Sequence, residues 1–252
     1  MPGYVAARME VIGTGPRVLL VHGSFAGAQL QWMRQRSLAE RFQLAFVERS
    51  GYPPGPPVEQ IDYNDQAAAL AEEIEDGTHV VGFSYGGFIS LLAAPRRLGS
   101  IRSLTVIEPP ALGIARESPA AKRLAFDILE LYWSGPSDPR AFIERFLPLF
   151  GIDLQLPAEL PPDLEQGACA VMVERAPWDS VLHLDEIAAA PFPKLVVSGA
   201  HSAALDAVCD VLEHRLGAER AVIPGAGHNI PLVGEPFNDL LAGFISRAED
   251  GR

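Results

Sequence analysis

The segment Gly82-Phe83-Ser84-Tyr85-Gly86 carries the strongest chemical signal in the chain. It directly follows an apolar run of strand length and directly precedes a helical pattern, which is the context that gives the G-x-S-x-G spacing its meaning. A Cβ two residues to either side of the serine would clash with the neighbouring strand or helix, so glycine is needed there. The turn predicts Ser84 as a nucleophile, with the Tyr85 backbone N–H at a helix N-terminus, where it can stabilise an oxyanion.

A general base for this serine is predicted near the end of the chain. His228 closes the segment Gly225-Ala226-Gly227-His228, on the loop that follows the last strand-like run. A histidine in that place can take the proton of a serine hydroxyl. Of the other histidines, His22 is expected to order the loop that follows it and His79 to be structural. Those at positions 183, 201 and 214 lack the spacing of metal ligands. We therefore predict no metal site and no organic cofactor.

Continuous apolar runs of strand length alternate with longer helical patterns. The strand-like runs cover 17–22, 43–47, 79–83, 104–107, 194–197 and 220–223, and helical patterns cover 62–75 and 87–94. The final helix carries an i, i+3, i+4, i+7, i+8 stripe of apolar residues from Phe237 to Ile245. Continuous apolar strands that alternate with helices predict an α/β fold with a parallel sheet covered on both faces.

One long segment breaks this alternation. From 111 to 193 the pattern is helical, it is interrupted by prolines, and it shows no strand signal. The sequence therefore predicts a core domain made of 1–110 and 194–252, with a helical cap inserted at 111–193.

Together these features resemble the α/β-hydrolase family over nearly the whole chain. They are His22-Gly23 after an early strand, the elbow at Ser84, the helical insertion and the late His228. The resemblance implies a mostly parallel sheet flanked by helices, with a helical cap. It also implies that His228 is the base and that the residue after His-Gly, here Ser24, supplies the second oxyanion N–H.

The acid of the expected triad departs from the family pattern. That pattern places it three residues after Gly199, where this chain has Ser202. Asp206 is the nearest carboxylate downstream, but it lies off an apolar helical stripe for which Ser202 looks like the N-cap. Glu108 ends the strand after the elbow helix, where a lone carboxylate is costly unless it is paired. We prefer Glu108, an arrangement similar to that of haloalkane dehalogenases and zearalenone lactonases, and keep Asp206 as the alternative.

The resemblance implies an enzyme, a hydrolase of carboxylesterase or lactonase type that acts through an acyl-enzyme on Ser84. The aspartate nucleophile of dehalogenases and epoxide hydrolases is absent from the elbow. A peptidase, an acyltransferase or a C–C bond hydrolase would use the same residues, and a non-catalytic ligand-binding member of the fold is a further alternative. The aromatic and aliphatic content of the insertion favours a fairly apolar small molecule. Candidates for lining its pocket, unless they pack the insertion's own core, are Trp133, Phe146, Met172 and Trp178.

Composition limits the partners. The 252 residues include 32 acidic and 20 basic side chains, giving a formal charge of −12, which argues against nucleic acid as a partner. No apolar run approaches the roughly 20 residues that cross a bilayer, so no membrane insertion is expected. The first residues show no signal-peptide pattern, and the two cysteines are expected to be reduced. A cytoplasmic protein is the prediction.

Overall fold

A single seven-stranded sheet forms the centre of the protein in this computed structural model, which describes residues 8–177 and 180–251. The spatial order of the strands is β1-β3-β2-β4-β5-β6-β7, and within the described residues only β1 runs antiparallel to its neighbour. The strands are β1 (Arg8–Ile12), β2 (Arg17–Val21), β3 (Gln43–Glu48), β4 (Thr78–Phe83), β5 (Ile101–Ile107), β6 (Lys194–Ser198) and β7 (Glu219–Val222).

Helices cover both faces of this sheet. They are α1 (Ala28–Gln31), α2 (Tyr63–Glu73), α3 (Tyr85–Ala93), α4 (Pro119–Ser134), α5 (Pro139–Leu149), α6 (Pro162–Val173), α7 (Leu184–Ala189), α8 (Ala203–Leu216) and α9 (Glu235–Asp250). None of the helices in the described ranges combines the length and the apolar character that a membrane span requires.

Two hydrophobic cores lie on opposite sides of the sheet because successive strand residues point to opposite faces. Along β2, Leu19 and Val21 enter the core that also holds α2, α3 and α8. Val18 and Leu20 enter the other core, which α9 and the segment around Trp32 close. Both faces of the central strands are thus buried, which explains their continuous apolar sequences.

The mostly parallel sheet flanked by helices confirms the predicted fold class. All the predicted strands are present, with ends that shift by up to three residues. Strand β1 was not predicted. It is an edge strand whose Val11 is 46% exposed, so the continuous apolar run that marks the inner strands is missing there.

Helices α4 to α7 lie between β5 and β6, and the described residues between those two strands contain no strand. The segment is joined to the core by an isolated parallel bridge between Ile61 and Glu174. There the Ile61 N–H donates to the Val173 carbonyl at 3.0 Å, and the Arg175 N–H donates to the Ile61 carbonyl at 2.8 Å. The division into a core of 1–110 and 194–252 and a cap of 111–193 stays a prediction.

Candidate active site

Ser84 stands at the sharp turn between β4 and α3. Its backbone adopts φ 51° and ψ −124°, a left-handed conformation that a non-glycine residue rarely takes. A Cβ at Gly86 would overlap the carbonyl oxygens of His22 and Val21, and one at Gly82 would overlap Gly87 and Ser90. The glycines of the motif are therefore required by close packing of α3 against β2 and β4.

In the described part of the chain, Ser84 shares its positive φ with three other residues that are not glycine. Among the described residues other than glycine, positive φ angles occur at Phe25, Ser84, Glu108 and Ala200. Each of the four follows a strand of the sheet, within four residues of its carboxyl end. Such conformations persist where the surrounding structure holds them, and they cluster at functional sites.

Ser84, His228 and Glu108 form one hydrogen-bonded row. The Ser84 hydroxyl donates to His228 Nε2 at 3.0 Å, and His228 Nδ1–H donates to Glu108 Oε2 at 2.7 Å. All three residues are buried, and Glu108 is fully covered. This geometry lets His228 accept the serine proton while the Glu108 carboxylate faces the imidazolium that forms.

The second carboxylate oxygen of Glu108 is also held. The Gly199 N–H donates to Glu108 Oε1 at 2.8 Å, and His201 Nδ1 lies 3.4 Å from the same oxygen. The cost of burying this carboxylate is thereby offset. Glu108, His201 and His228 also place one potential metal-ligand atom each within 4.8 Å of one another. Two of these residues, His228 and Glu108, are hydrogen-bonded to each other.

Asp206 has different partners. It lies on the first turn of α8, where its Oδ1 accepts from Ser198 Oγ at 2.8 Å and lies 3.4 Å from Arg220 Nη2. Ser202 caps this helix, because its hydroxyl accepts from the Leu205 N–H. The structure thus pairs Glu108 with His228, whereas Asp206 binds Ser198 and Arg220.

The backbone N–H groups of Ser24 and Tyr85 are available to an incoming ligand. Neither has an acceptor among the residues that the structure describes. Both residues line the cavity that contains Ser84. Two such donors beside a nucleophile could stabilise the oxyanion of a tetrahedral intermediate.

The cavity above Ser84 has a volume of about 350 Å³ and an apolar lining. Residues of the inserted segment make up much of its wall, among them Phe146 and Phe150, and the ring of Phe150 lies 5.2 Å from that of His228. The other lining residues from this segment are Ile128, Tyr132, Leu147, Ile152, Leu154, Leu164, Glu174, Ala176 and Pro177.

Of the residues predicted to line the pocket, Phe146 does so. Trp133 does not, which corrects that prediction: α4 buries Leu124, Ile128 and Leu131, and leaves Trp133 89% exposed. Met172 is half-buried against the hydrophobic core and does not line the cavity. Trp178 lies outside the described residues.

A buried polar cluster beside the site was not predicted. Arg49, Tyr52 and Glu174 are each less than 5% exposed, and Glu174 borders the cavity. Glu48-Arg49 directly follows the apolar run of β3, and charged residues at the end of a buried strand were the signal that could have indicated them. Glu174 lies in the helical insertion and follows no strand-like run, so the sequence pattern did not indicate it.

Comparison with known proteins gives one family and several distant relatives. The model of the Alpha/beta hydrolase family matches residues 18–241. A pimeloyl-[acyl-carrier protein] methyl ester esterase of Methylococcus capsulatus is 28% identical over 104 residues, which are 39% of this chain and 39% of that protein. The matched stretch thus spans about two fifths of that relative's length.

Two further matches extend over nearly the whole chain. A pimeloyl-[acyl-carrier protein] methyl ester esterase of Aeromonas hydrophila is 23% identical over 96% of this chain and 100% of its own. The structure of a thermophilic esterase from Thermogutta terrifontis superposes with a TM-score of 0.69, at 20% identity, covering 96% of this chain and 93% of that one. At that identity the superposition shows a shared fold.

Proposed function

The chain belongs to the alpha/beta hydrolase family, and from that premise we propose that it is a serine hydrolase that cleaves an ester, lactone or thioester of a fairly apolar small molecule. The observation that carries the proposal is the hydrogen-bonded row from Ser84 through His228 to Glu108. A serine whose hydroxyl donates to a buried, carboxylate-oriented imidazole is an activated nucleophile.

In the acylation half-reaction, Ser84 Oγ attacks the carbonyl carbon of the substrate, and its proton passes to His228 Nε2. The carbonyl oxygen becomes an oxyanion that the Ser24 and Tyr85 N–H groups stabilise. The tetrahedral intermediate then re-forms its carbonyl and expels the alkoxide or thiolate, which takes the proton from His228 Nε2. The products of this step are the free alcohol or thiol, or the opened lactone, and an acyl group on Ser84.

Deacylation repeats these steps with water. His228 Nε2 removes a proton from the attacking water, whose oxygen adds to the acyl carbon. Collapse of the second intermediate breaks the bond to Ser84 Oγ, which recovers its proton from His228. Glu108 accepts the hydrogen bond from His228 Nδ1 throughout and stabilises the imidazolium in both half-reactions.

The cavity supports the substrate class. Its wall is largely apolar and its volume falls within the usual range for small-molecule sites. Ser24, Ser84 and His228 are among its few polar lining residues. An ester whose acyl or alcohol part is apolar fits such a wall, and the names of the two methyl ester esterases described above agree with ester chemistry.

The test is a panel of p-nitrophenyl esters from acetate to decanoate, together with aliphatic lactones and one peptide amide. We expect turnover of esters and lactones by the wild type, and none by the Ser84→Ala variant at equal thermal stability. Hydrolysis of the amide alone would favour the peptidase alternative. Folded wild type without turnover of any substrate would overturn the proposal in favour of a ligand-binding protein.

A further inference from the structure

The loop that carries Ser24 is fixed by a buried ion pair that no step of the proposed reaction uses. Arg49, at the carboxyl end of β3, forms a salt bridge with Glu174 from the inserted segment. The side chains of both are at most 2% exposed. Tyr52 OH donates to Glu174 Oε1 at 2.9 Å, and Ser24 Oγ donates to Glu174 Oε2 at 2.5 Å.

Arg49 also reaches the peptide group that precedes Ser24. Its Nη1 donates to the Gly23 carbonyl oxygen at 2.7 Å, and His22 Nδ1 donates to the same oxygen at 2.7 Å. The carbonyl of Gly23 and the N–H of Ser24 belong to one planar trans peptide, so they point in opposite directions. Holding the carbonyl toward Arg49 therefore holds the Ser24 N–H away from Arg49.

From these contacts we infer that Arg49 and Glu174 are positioning residues of the oxyanion hole: Arg49 fixes the Gly23–Ser24 peptide through its carbonyl, while Glu174 holds both Arg49 and the Ser24 hydroxyl. The inference rests on the proposed function and deepens it. It assigns to the inserted segment a part in transition-state stabilisation in addition to forming a wall of the cavity.

Electrostatics support this role. Burial opposes the charged form of Arg49 and is the largest single effect, but Glu174, Tyr52 and Tyr85 together outweigh it, so the pKa of Arg49 lies above its ordinary value. Its guanidinium stays charged beside the Gly23 carbonyl, and a cation at the oxygen of a peptide makes the N–H of that peptide a stronger donor. The rings of Tyr52 and Tyr85 lie 4.9 Å and 4.6 Å from the guanidinium carbon and restrict its movement.

The position of Glu174 links the oxyanion hole to the docking of the inserted segment on the core. Glu174 is the residue of the isolated bridge to Ile61, so the backbone contact that docks the insertion also places the carboxylate. One residue further on, Arg175 forms an ion pair with Asp62 at 2.9 Å across the same junction. Among the contacts that the structure describes, this second pair makes none with Gly23 or Ser24, so Arg175 provides a matched control.

The experiment compares the wild type with Glu174→Gln, Ser24→Ala, the double variant Arg49→Met/Glu174→Gln, and Arg175→Met as the control. Four quantities are measured for each: kcat and KM on one p-nitrophenyl ester, thermal stability, and the Kd of an alkyl boronic acid. The boronic acid forms a tetrahedral adduct with the nucleophilic serine and places an oxygen in the oxyanion hole.

We expect Glu174→Gln and the double variant to lower kcat by roughly 10²-fold, the effect of losing one oxyanion donor. The Kd of the boronic acid should rise by the same factor while KM changes by less than about threefold, because only the transition state carries the oxyanion. Ser24→Ala, which keeps the fold and the N–H, should lose kcat and boronic acid affinity together by a smaller factor. Arg175→Met should match the wild type in kcat, in KM and in boronic acid affinity.

Folded variants whose boronic acid affinity is unchanged would overturn the inference, as would an Arg175→Met variant that loses as much kcat as Glu174→Gln. The second result would show that the ion pair of Arg49 and Glu174 only docks the inserted segment on the core. Failure of the proposed function looks different: the wild type itself would then neither turn over the ester nor bind the boronic acid.

Discussion

Glu108 Oε2 accepts a 2.7 Å hydrogen bond from His228 Nδ1, although 120 positions separate the two residues in the chain. The sheet brings them together: β5 ends just before Glu108, β6 lies beside it, and the loop after β7 returns His228 to the same edge. The carboxyl ends of parallel strands share one edge, which is where such sheets place their sites.

Replacing Glu108 by glutamine tests its role as the orienting acid. The amide keeps the shape but carries no charge to stabilise the imidazolium, so kcat should fall by roughly 10²–10⁴-fold. KM should change little, because Glu108 is completely buried and lies behind His228. Steady-state kinetics on a p-nitrophenyl ester provide both values.

Asp206→Asn is the matched control for that substitution. Its partners are Ser198 and Arg220, so we expect kcat within about threefold of the wild type. An inactive Asp206→Asn variant beside an active Glu108→Gln variant would show that Asp206, and not Glu108, is the acid of the triad.

Gly86→Ala tests the packing that creates the nucleophile turn. The added Cβ would overlap the carbonyl oxygens of Val21 and His22, so the unfolding free energy should fall by roughly 1–3 kcal/mol and activity should fall with it. Gly99→Ala is the control, since no atom lies within 4 Å of its Cβ position. Urea denaturation followed by circular dichroism compares the two, and equal losses would contradict the steric explanation.

Phe146→Trp tests whether the inserted segment sets the acyl-chain preference. A larger ring at the cavity wall should lower kcat/KM for the octanoate ester by at least roughly tenfold and leave the acetate ester within about threefold. Trp133→Phe on the exposed face of α4 should change neither substrate. If Phe146→Trp lowered kcat/KM equally for both esters, the side chain would act on the reaction centre and not on the acyl chain of the substrate.

Cys209 provides a test of core packing. Burial raises the pKa of its thiol from 9.0 to about 12, so the folded protein keeps this proton between pH 9 and pH 12 while the unfolded chain loses it. The folded state then binds more protons, and the unfolding free energy falls as the pH rises through that window. Iodoacetamide at pH 8 should alkylate Cys209 only in denaturant, as peptide mass spectrometry would show. Rapid labelling of the native protein would contradict the buried placement.

Local sequence rules were sufficient for the elbow and for every strand except β1. Gly82, Ser84 and Gly86 act through contacts next to the turn, and the inner strands are buried on both faces, so both leave a pattern in the sequence. Ser202 as the cap of α8 is confirmed for the same reason, since an N-cap acts within three residues.

Contacts between distant segments left weaker signals. Trp133 is a pocket candidate by residue type alone, but the rotation of α4 decides which face is buried, and the helix turns Trp133 to solvent. Arg49 and Glu174 are 125 positions apart, and neither residue alone predicts a buried ion pair. Such pairs depend on how the insertion docks on the core, which the sequence pattern does not encode locally.

Intact-protein mass spectrometry after treatment with a small alkyl fluorophosphonate tests the central claim most directly, with Ser84→Ala as the control. An activated Ser84 displaces fluoride from phosphorus and keeps the phosphonyl group, so we predict one adduct on the wild type and none on Ser84→Ala. Glu108→Gln should form the same adduct at a rate lower by orders of magnitude. An unmodified, folded wild type, or an adduct that persists in Ser84→Ala, would contradict the assignment of Ser84 as the nucleophile.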